Sequence, residues 1–299
     1  MRKFFTSLWN KITSPFRFIG RVLGAPFRAL KRFRAFLNEE PDDKPLLDAA
    51  TDVFQSQEAR SDFFDHIESL RKHLFRTLLV LTATVSIAFM FTRNIIEYLA
   101  KTIGGTGALS EITPTESIGV FMRVALMSGI VMAIPYIASE FWLFFAPGLK
   151  PRSKKSGLYG IPFATLLFVT GVAFSYRFLL PPALNFLLTF METEKNWSLS
   201  YYINFTTNIM FWIGVFFEFP LVIYALSAIG VVKPRVLQEQ WRLAMVIIAI
   251  LAAAITPTVD PVNMALVMMP MALLYFFSIG LGKLGYRSYL KNLKEKEEK

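Results

Sequence analysis

From residue 74 onward, long apolar runs alternate with short polar stretches. The apolar runs fall near 74–92, 117–139, 158–180, 205–229, 243–256 and 262–282. A helix needs about 20 apolar residues to cross roughly 30 Å of hydrocarbon, so the pattern predicts six transmembrane helices. The fifth run, residues 243–256, amounts to only about 21 Å of helix. If it crosses, the bilayer thins around it or neighbouring helices enclose it. The alternative is a re-entrant hairpin with the sixth run. Pro135, Pro162, Pro181, Pro182, Pro220 and Pro270 punctuate the runs. Each removes a backbone donor and bends a helix. The expected fold is an all-α polytopic membrane protein of six kinked helices packed into a curved wall. No internal repeat is visible, so the inverted symmetry of many transporters is not expected.

The first 73 residues have a different pattern. Residues 1–38 carry Arg2, Lys3, Lys11, Arg17, Arg21, Arg28, Lys31, Arg32 and Arg34, and no acid. Apolar residues recur there at helical spacing, interrupted by Pro15 and Pro26. An apolar face opposite a basic one predicts an amphipathic tail lying in the headgroup plane. A poorly ordered tail and an organellar transit peptide are the alternatives; no secretory signal is visible. Residues 39–65 invert the charge, with nine acids against Lys44 and Arg60, and read as an acidic linker. Residues 66–285 then form the membrane domain, and 286–299 a charged tail.

Composition agrees with a membrane protein. Apolar residues make up 54% of the 299 positions and charged residues 18%, against about 25% charge in a soluble domain. The net charge of +10 would suggest nucleic acid on a soluble protein. Here it reflects the loops instead. With both termini inside, sixteen Lys and Arg line the inner loops and the C-terminal tail, against four outside, so the positive-inside rule makes both termini cytoplasmic. The absence of Cys excludes disulfides and thiolate metal sites. With only His66 and His73 as imidazoles, no metal site and no cofactor is expected. No GxSxG, HExxH or Walker A sequence occurs, so no hydrolase motif is present.

Ionisable residues within the runs are few and costly. Glu218 lies near the middle of the fourth run, in Phe216-Phe217-Glu218-Phe219-Pro220. A charge there costs about 2.5–3.5 kcal/mol or more, so Glu218 should be protonated or paired and face protein or a water-filled cavity. It is either a polar spot on a substrate-facing surface or a structural hydrogen-bonding group. Arg76 and Arg123 lie early in the first and second runs and are long enough to snorkel. Asp260, with Thr256 and Thr258, sits at an outer turn, solvated or capping.

Five segments occur in order between the predicted spans. They are Asp65-His66-Ile67-Glu68-Ser69-Leu70-Arg71-Lys72-His73-Leu74, Thr113-Pro114-Thr115-Glu116-Ser117, Phe141-Trp142-Leu143-Phe144-Phe145-Ala146-Pro147-Gly148-Leu149, Phe217-Glu218-Phe219-Pro220 and Thr256-Pro257-Thr258-Val259-Asp260-Pro261. In this order the chain resembles the TatC family, receptor subunits of twin-arginine protein translocation, over about residues 62–285. The resemblance implies a concave wall of six helices in the inner (cytoplasmic) membrane. It implies binding of twin-arginine signal peptides of folded precursors on the cytoplasmic face. It also implies TatA- and TatB-type single-span partners, oligomerisation and transport driven by the proton-motive force. No nucleic acid and no enzymatic activity is implied.

In that family the signal site combines the first cytoplasmic segment with the loop between spans two and three. The expected signal-peptide-binding residues are therefore Glu68, Ser69, Leu70, Arg71, Glu140, Phe144, Pro147 and Ser153. Two guanidiniums want fixed carboxylates, ideally bidentate. Yet the family's usual glutamates align with Ser69 and Ser153. Met264 stands where a Gln is usual, while Leu70, Arg71, Phe144, Pro147, Glu218 and Asp260 match. Losing a charged hydrogen-bond partner forfeits about 1.5–3 kcal/mol per site, unless Glu68, Glu140 or a partner subunit restores the charge. The plainer reading of Glu68 and Glu140 is a solvated charge at a helix end. Two other functions fit the sequence less well: a membrane scaffold without transport, and a proton-coupled small-solute transporter using Glu218.

Overall fold

A computed structural model of the chain describes residues 34–38, 57–111, 113, 115–148, 151–190, 197–256 and 260–297. The expectations for residues 1–33 and 39–56 lie outside these residues. The first long helix, α1, spans Gln57–Ala88. It therefore starts inside the stretch read as an acidic linker. It stops short of residue 92 because residues 89–91 turn the chain. A second helix, α2 (Thr92–Ala100), follows at 69° to α1.

The next helix, α3, covers Glu116–Phe145. A 3₁₀ turn at Ala146–Gly148 leads to the short α4 (Pro151–Leu158) and then α5 (Gly160–Phe174). The third apolar run does not end at residue 180. A π-turn at Ser175–Leu179 carries α5 directly into α6 (Leu180–Phe190). The prolines explain the turn. Pro181 and Pro182 lack the N–H groups that the carbonyls of Arg177 and Phe178 would accept from in an α-helix. The chain widens locally there instead of breaking.

The remaining helices are α7 (Leu199–Ala228), α8 (Pro234–Glu239), α9 (Trp241–Ile255) and α10 (Pro261–Glu297). Among the described residues, four stretches, 116–144, 160–187, 199–228 and 261–291, are long and apolar enough to cross a membrane. The bent α1–α2 pair is apolar enough to make a fifth if it is one span, or a re-entrant loop if it is not. Helix α9 is apolar but has only 15 residues. Pro135, Pro220 and Pro270 lie inside α3, α7 and α10.

Helix α7 forms the centre of the packing. Its buried Tyr202, Phe205, Ile209 and Ile213 meet Leu180 and Leu184 of α6, Ile248 of α9 and Met271 of α10. The hydroxyl of Tyr202 donates to the Leu99 carbonyl at 2.6 Å, fixing α2 against α7. Small residues admit close backbone approach between spans. A Cβ on Gly285 of α10 would lie 2.6 Å from the Tyr224 carbonyl oxygen of α7, and one on Gly129 of α3 would lie 2.6 Å from Cα of Val85 in α1. Apolar side chains remain exposed along α1 (Leu74, Phe75, Leu78, Leu79) and α9 (Leu243, Val246, Ile247, Ile250). Such faces are the ones a bilayer would solvate.

At one end of the bundle, strands β1 (Leu109–Ser110) and β2 (Trp197–Ser198) pair in parallel. The Glu116 carboxylate accepts from the Ser200 backbone N–H at 2.5 Å and the Ser198 hydroxyl at 2.6 Å. A carboxylate at the N-terminus of α7 satisfies otherwise orphaned donors and opposes the helix dipole. This clamp joins the start of α3 to the start of α7.

Candidate functional site

The residues expected to bind a signal peptide gather at the other end, where α1 packs against α3 and α3 runs into α4. The centre of this region is a polar cluster around the buried Glu140, with His73 and Tyr136 half-buried beside it. His73 of α1 contacts the Glu140 carboxylate of α3 through Nδ1, and the Tyr136 hydroxyl donates to Glu140 Oε1 at 2.5 Å. Tyr136 and Glu140 are four residues apart and share a helix face. Phe144, one further turn along, stands edge-on to the His73 ring at 6.2 Å.

Glu140 is 5% exposed, so it is not the solvated helix-end charge that the sequence suggests. Both of its carboxylate oxygens face partners within the fold. A buried carboxylate persists only when it is paired and hydrogen-bonded, and His73 and Tyr136 supply those partners. Glu68 sits differently. It lies on α1 about 7.5 Å of helix rise before His73, with its side chain 44% exposed. It pairs with Arg71 at 3.3 Å and Lys72 at 3.7 Å, both on its own helix. Exposed pairs of this kind are worth only about 0.2–1 kcal/mol, so an incoming guanidinium competes with them easily.

Among the other expected residues, Ser69 is half-buried, Leu70 and Arg71 are exposed, and Pro147 is exposed on the 3₁₀ turn. Ser153 lies in α4, but its side chain is outside the described residues. Its neighbour Lys154 is 1% exposed. The Lys154 ammonium donates to the Phe36 carbonyl at 3.3 Å and lies 4.7 Å from the centre of the Phe36 ring.

Two expected residues stand apart from this end. Glu218 lies on the middle of α7, half-buried against α5, and its Oε1 is buried without a hydrogen-bond partner among the described residues. Asp260 caps α10. Its carboxylate accepts the Asn263 N–H at 2.7 Å and the Asn263 side-chain amide at 3.0 Å. Of the two roles the sequence allows, solvated or capping, this is capping.

Sequence reasoning missed His73 and Tyr136 as the partners of Glu140. The Tyr136–Glu140 spacing and the scarcity of His were the visible signals. It also missed the environment of Arg123. That guanidinium donates to Thr207 Oγ1 at 3.0 Å and Asn208 Oδ1 at 2.7 Å on α7. Two adjacent polar residues in an apolar span were the signal there.

These features define a polytopic α-helical membrane protein with a polar cluster around Glu140 at one end and a half-buried carboxyl, Glu218, in its middle. The comparisons with known proteins narrow that class. Residues 65–270 match the family model described as Sec-independent protein translocase protein (TatC), and the chain belongs to the TatC family. It is similar to the Sec-independent protein translocase protein TatC of Deinococcus radiodurans, 33% identical over 234 residues, which are 75% of this chain and 87% of that one. The Helicobacter pylori J99 protein of the same name is 34% identical over 229 residues, covering 75% of this chain and 89% of that one. The chloroplast form from Arabidopsis thaliana is 33% identical over 250 residues, covering 82% and 69%. A crystal structure of the twin-arginine translocase receptor TatC aligns with a TM-score of 0.67 at 32% identity, covering 74% of this chain and 99% of that one.

Proposed function

We propose that this chain is the TatC-type receptor subunit of a twin-arginine protein translocase, a membrane transport component and not an enzyme. The likeness over residues 65–270 to the translocase family, together with the shared fold of a solved receptor, carries this reading. It favours neither the scaffold nor the solute transporter. The chain crosses the inner membrane six times, with α1–α2 as the first crossing and α9 as the short fifth. Both termini are cytoplasmic, in keeping with the sixteen-to-four distribution of loop Lys and Arg. On this topology the α1, α3 and α4 end faces the cytoplasm and the β1–β2 end faces outward. Single-span TatA- and TatB-type subunits complete an oligomeric complex powered by the proton-motive force.

The signal-binding surface combines Glu68, Ser69, Leu70 and Arg71 of α1 with Phe144, Pro147 and Ser153 near the α3–α4 connection. Glu68 supplies the carboxylate that Ser69 and Ser153 do not. Glu140 supports the surface from beneath, because its oxygens already face His73 and Tyr136. Export of a folded reporter tests the reading. In a host lacking its own TatC-type subunit, the chain should restore export of a twin-arginine reporter and not of its twin-lysine variant. Failure with the host's own single-span subunits and also with those native to this protein would overturn it.

A further inference from the structure

We propose that residues 34–38 form an intramolecular strap that docks on the α3–α4 connection and competes there with incoming signal peptide; the competition rests on the receptor reading above. The strap is a helical segment well outside the family match, which begins at residue 65. Leu37 is 9% exposed and packs with Trp142 and Ala146 at the end of α3. Phe36 stands edge-on to Trp142 at 6.5 Å between ring centres. Lys154, one residue beyond Ser153, is buried and holds the Phe36 carbonyl and ring.

The receiving surface is shaped for this contact. A Cβ at residue 157 would lie 2.4 Å from the Trp142 indole nitrogen, so Gly157 makes the space in which Trp142 lies. A lysine buried under a peptide carbonyl and an aromatic ring suits a neutral backbone and an apolar side chain. The loop half of the binding surface thus receives the chain's own Phe36 and Leu37. Arg34, Phe36 and Leu37 bring a cation and two apolar groups, the mixture a basic leader peptide also offers. A tethered competitor acts at about millimolar effective concentration. It lowers apparent peptide affinity to the intrinsic value multiplied by the fraction of time it leaves the site free.

The chain contains no Cys, which permits a clean test on the full-length protein. The double variant Leu37→Cys, Ala146→Cys should form a disulfide under mild oxidation in membranes, whereas Leu37→Cys with Ser175→Cys should not. The oxidised double variant should bind a labelled twin-arginine peptide about tenfold more weakly than the same protein reduced. Phe36→Ser with Leu37→Ser should bind about tenfold more tightly than the unaltered chain, with an unchanged melting temperature. No disulfide between positions 37 and 146, or equal peptide affinity in the locked and strap-weakened proteins, overturns the proposal. Disulfide formation with no peptide bound by any form would establish docking, and would overturn both the competition and the receptor reading.

Discussion

His73 and Glu140 lie 67 residues apart in the chain and meet at the α1–α3 contact. The pair divides the two candidate carboxylates by role: Glu140 is a fastening within the fold, and Glu68 is the charge left facing outward.

Glu140→Ala should lower the melting temperature in detergent. It strands His73 and the Tyr136 hydroxyl, a loss of about 1–3 kcal/mol for a buried hydrogen-bonding group. His73→Ala in the same background should add little, because the partners act as one unit, with a coupling of about 0.5–3 kcal/mol. Strictly additive melting shifts in this double-mutant cycle would refute the fastening role.

Glu68→Gln should leave melting unchanged and weaken twin-arginine peptide binding by about tenfold, equivalent to about 1.4 kcal/mol. The discrimination between arginine and lysine peptides should shrink with it. Isothermal titration with both peptides measures this. Unchanged arginine preference in Glu68→Gln would move recognition elsewhere.

Arg123→Lys should destabilise the α3–α7 packing despite keeping the charge. The guanidinium reaches Thr207 and Asn208 at once, and an ammonium does not reproduce that fork. A loss of about 1 kcal/mol or more is expected. Arg123→Lys melting like the unaltered protein would contradict it.

Glu218→Ala should abolish most reporter export while the protein still accumulates in the membrane. Intramembrane carboxyls are rarely kept for packing alone, and among the described residues the Glu218 carboxyl has only the Phe168 backbone as a partner, with Oε1 left unpartnered. Glu218→Gln keeps the shape and one acceptor, so it separates polarity from proton exchange. Normal export by Glu218→Ala would return this residue to a structural role.

Four long apolar spans and the apolar α1 were legible because apolar periodicity is a local property, and the motif order carried the family. The helix ends were less legible. The prolines at 181 and 182 suggested a stop, yet a π-turn absorbed them, because a helix widened by one residue costs less than a broken one inside a packed bundle. Long-range polar pairing was hidden altogether. Nothing near Lys154 announces Phe36, which lies 118 residues away, and nothing near Glu140 announces His73. Sequence spacing located the charges, but tertiary packing decided which of them face water.

Helix α9, with 15 residues, is about 22 Å long in a bilayer core of about 30 Å. If α9 is the short fifth crossing proposed above, lipid beside it shortens, leaving a dimple whose cost runs to fractions of a kcal/mol per Å of mismatch. Two dimples that merge expose less strained perimeter than two kept apart. The membrane itself then draws copies together, with no side-chain contact required between them. Energy transfer between labelled copies should rise as the host lipid is thickened, and a flat response would show that association owes nothing to the bilayer.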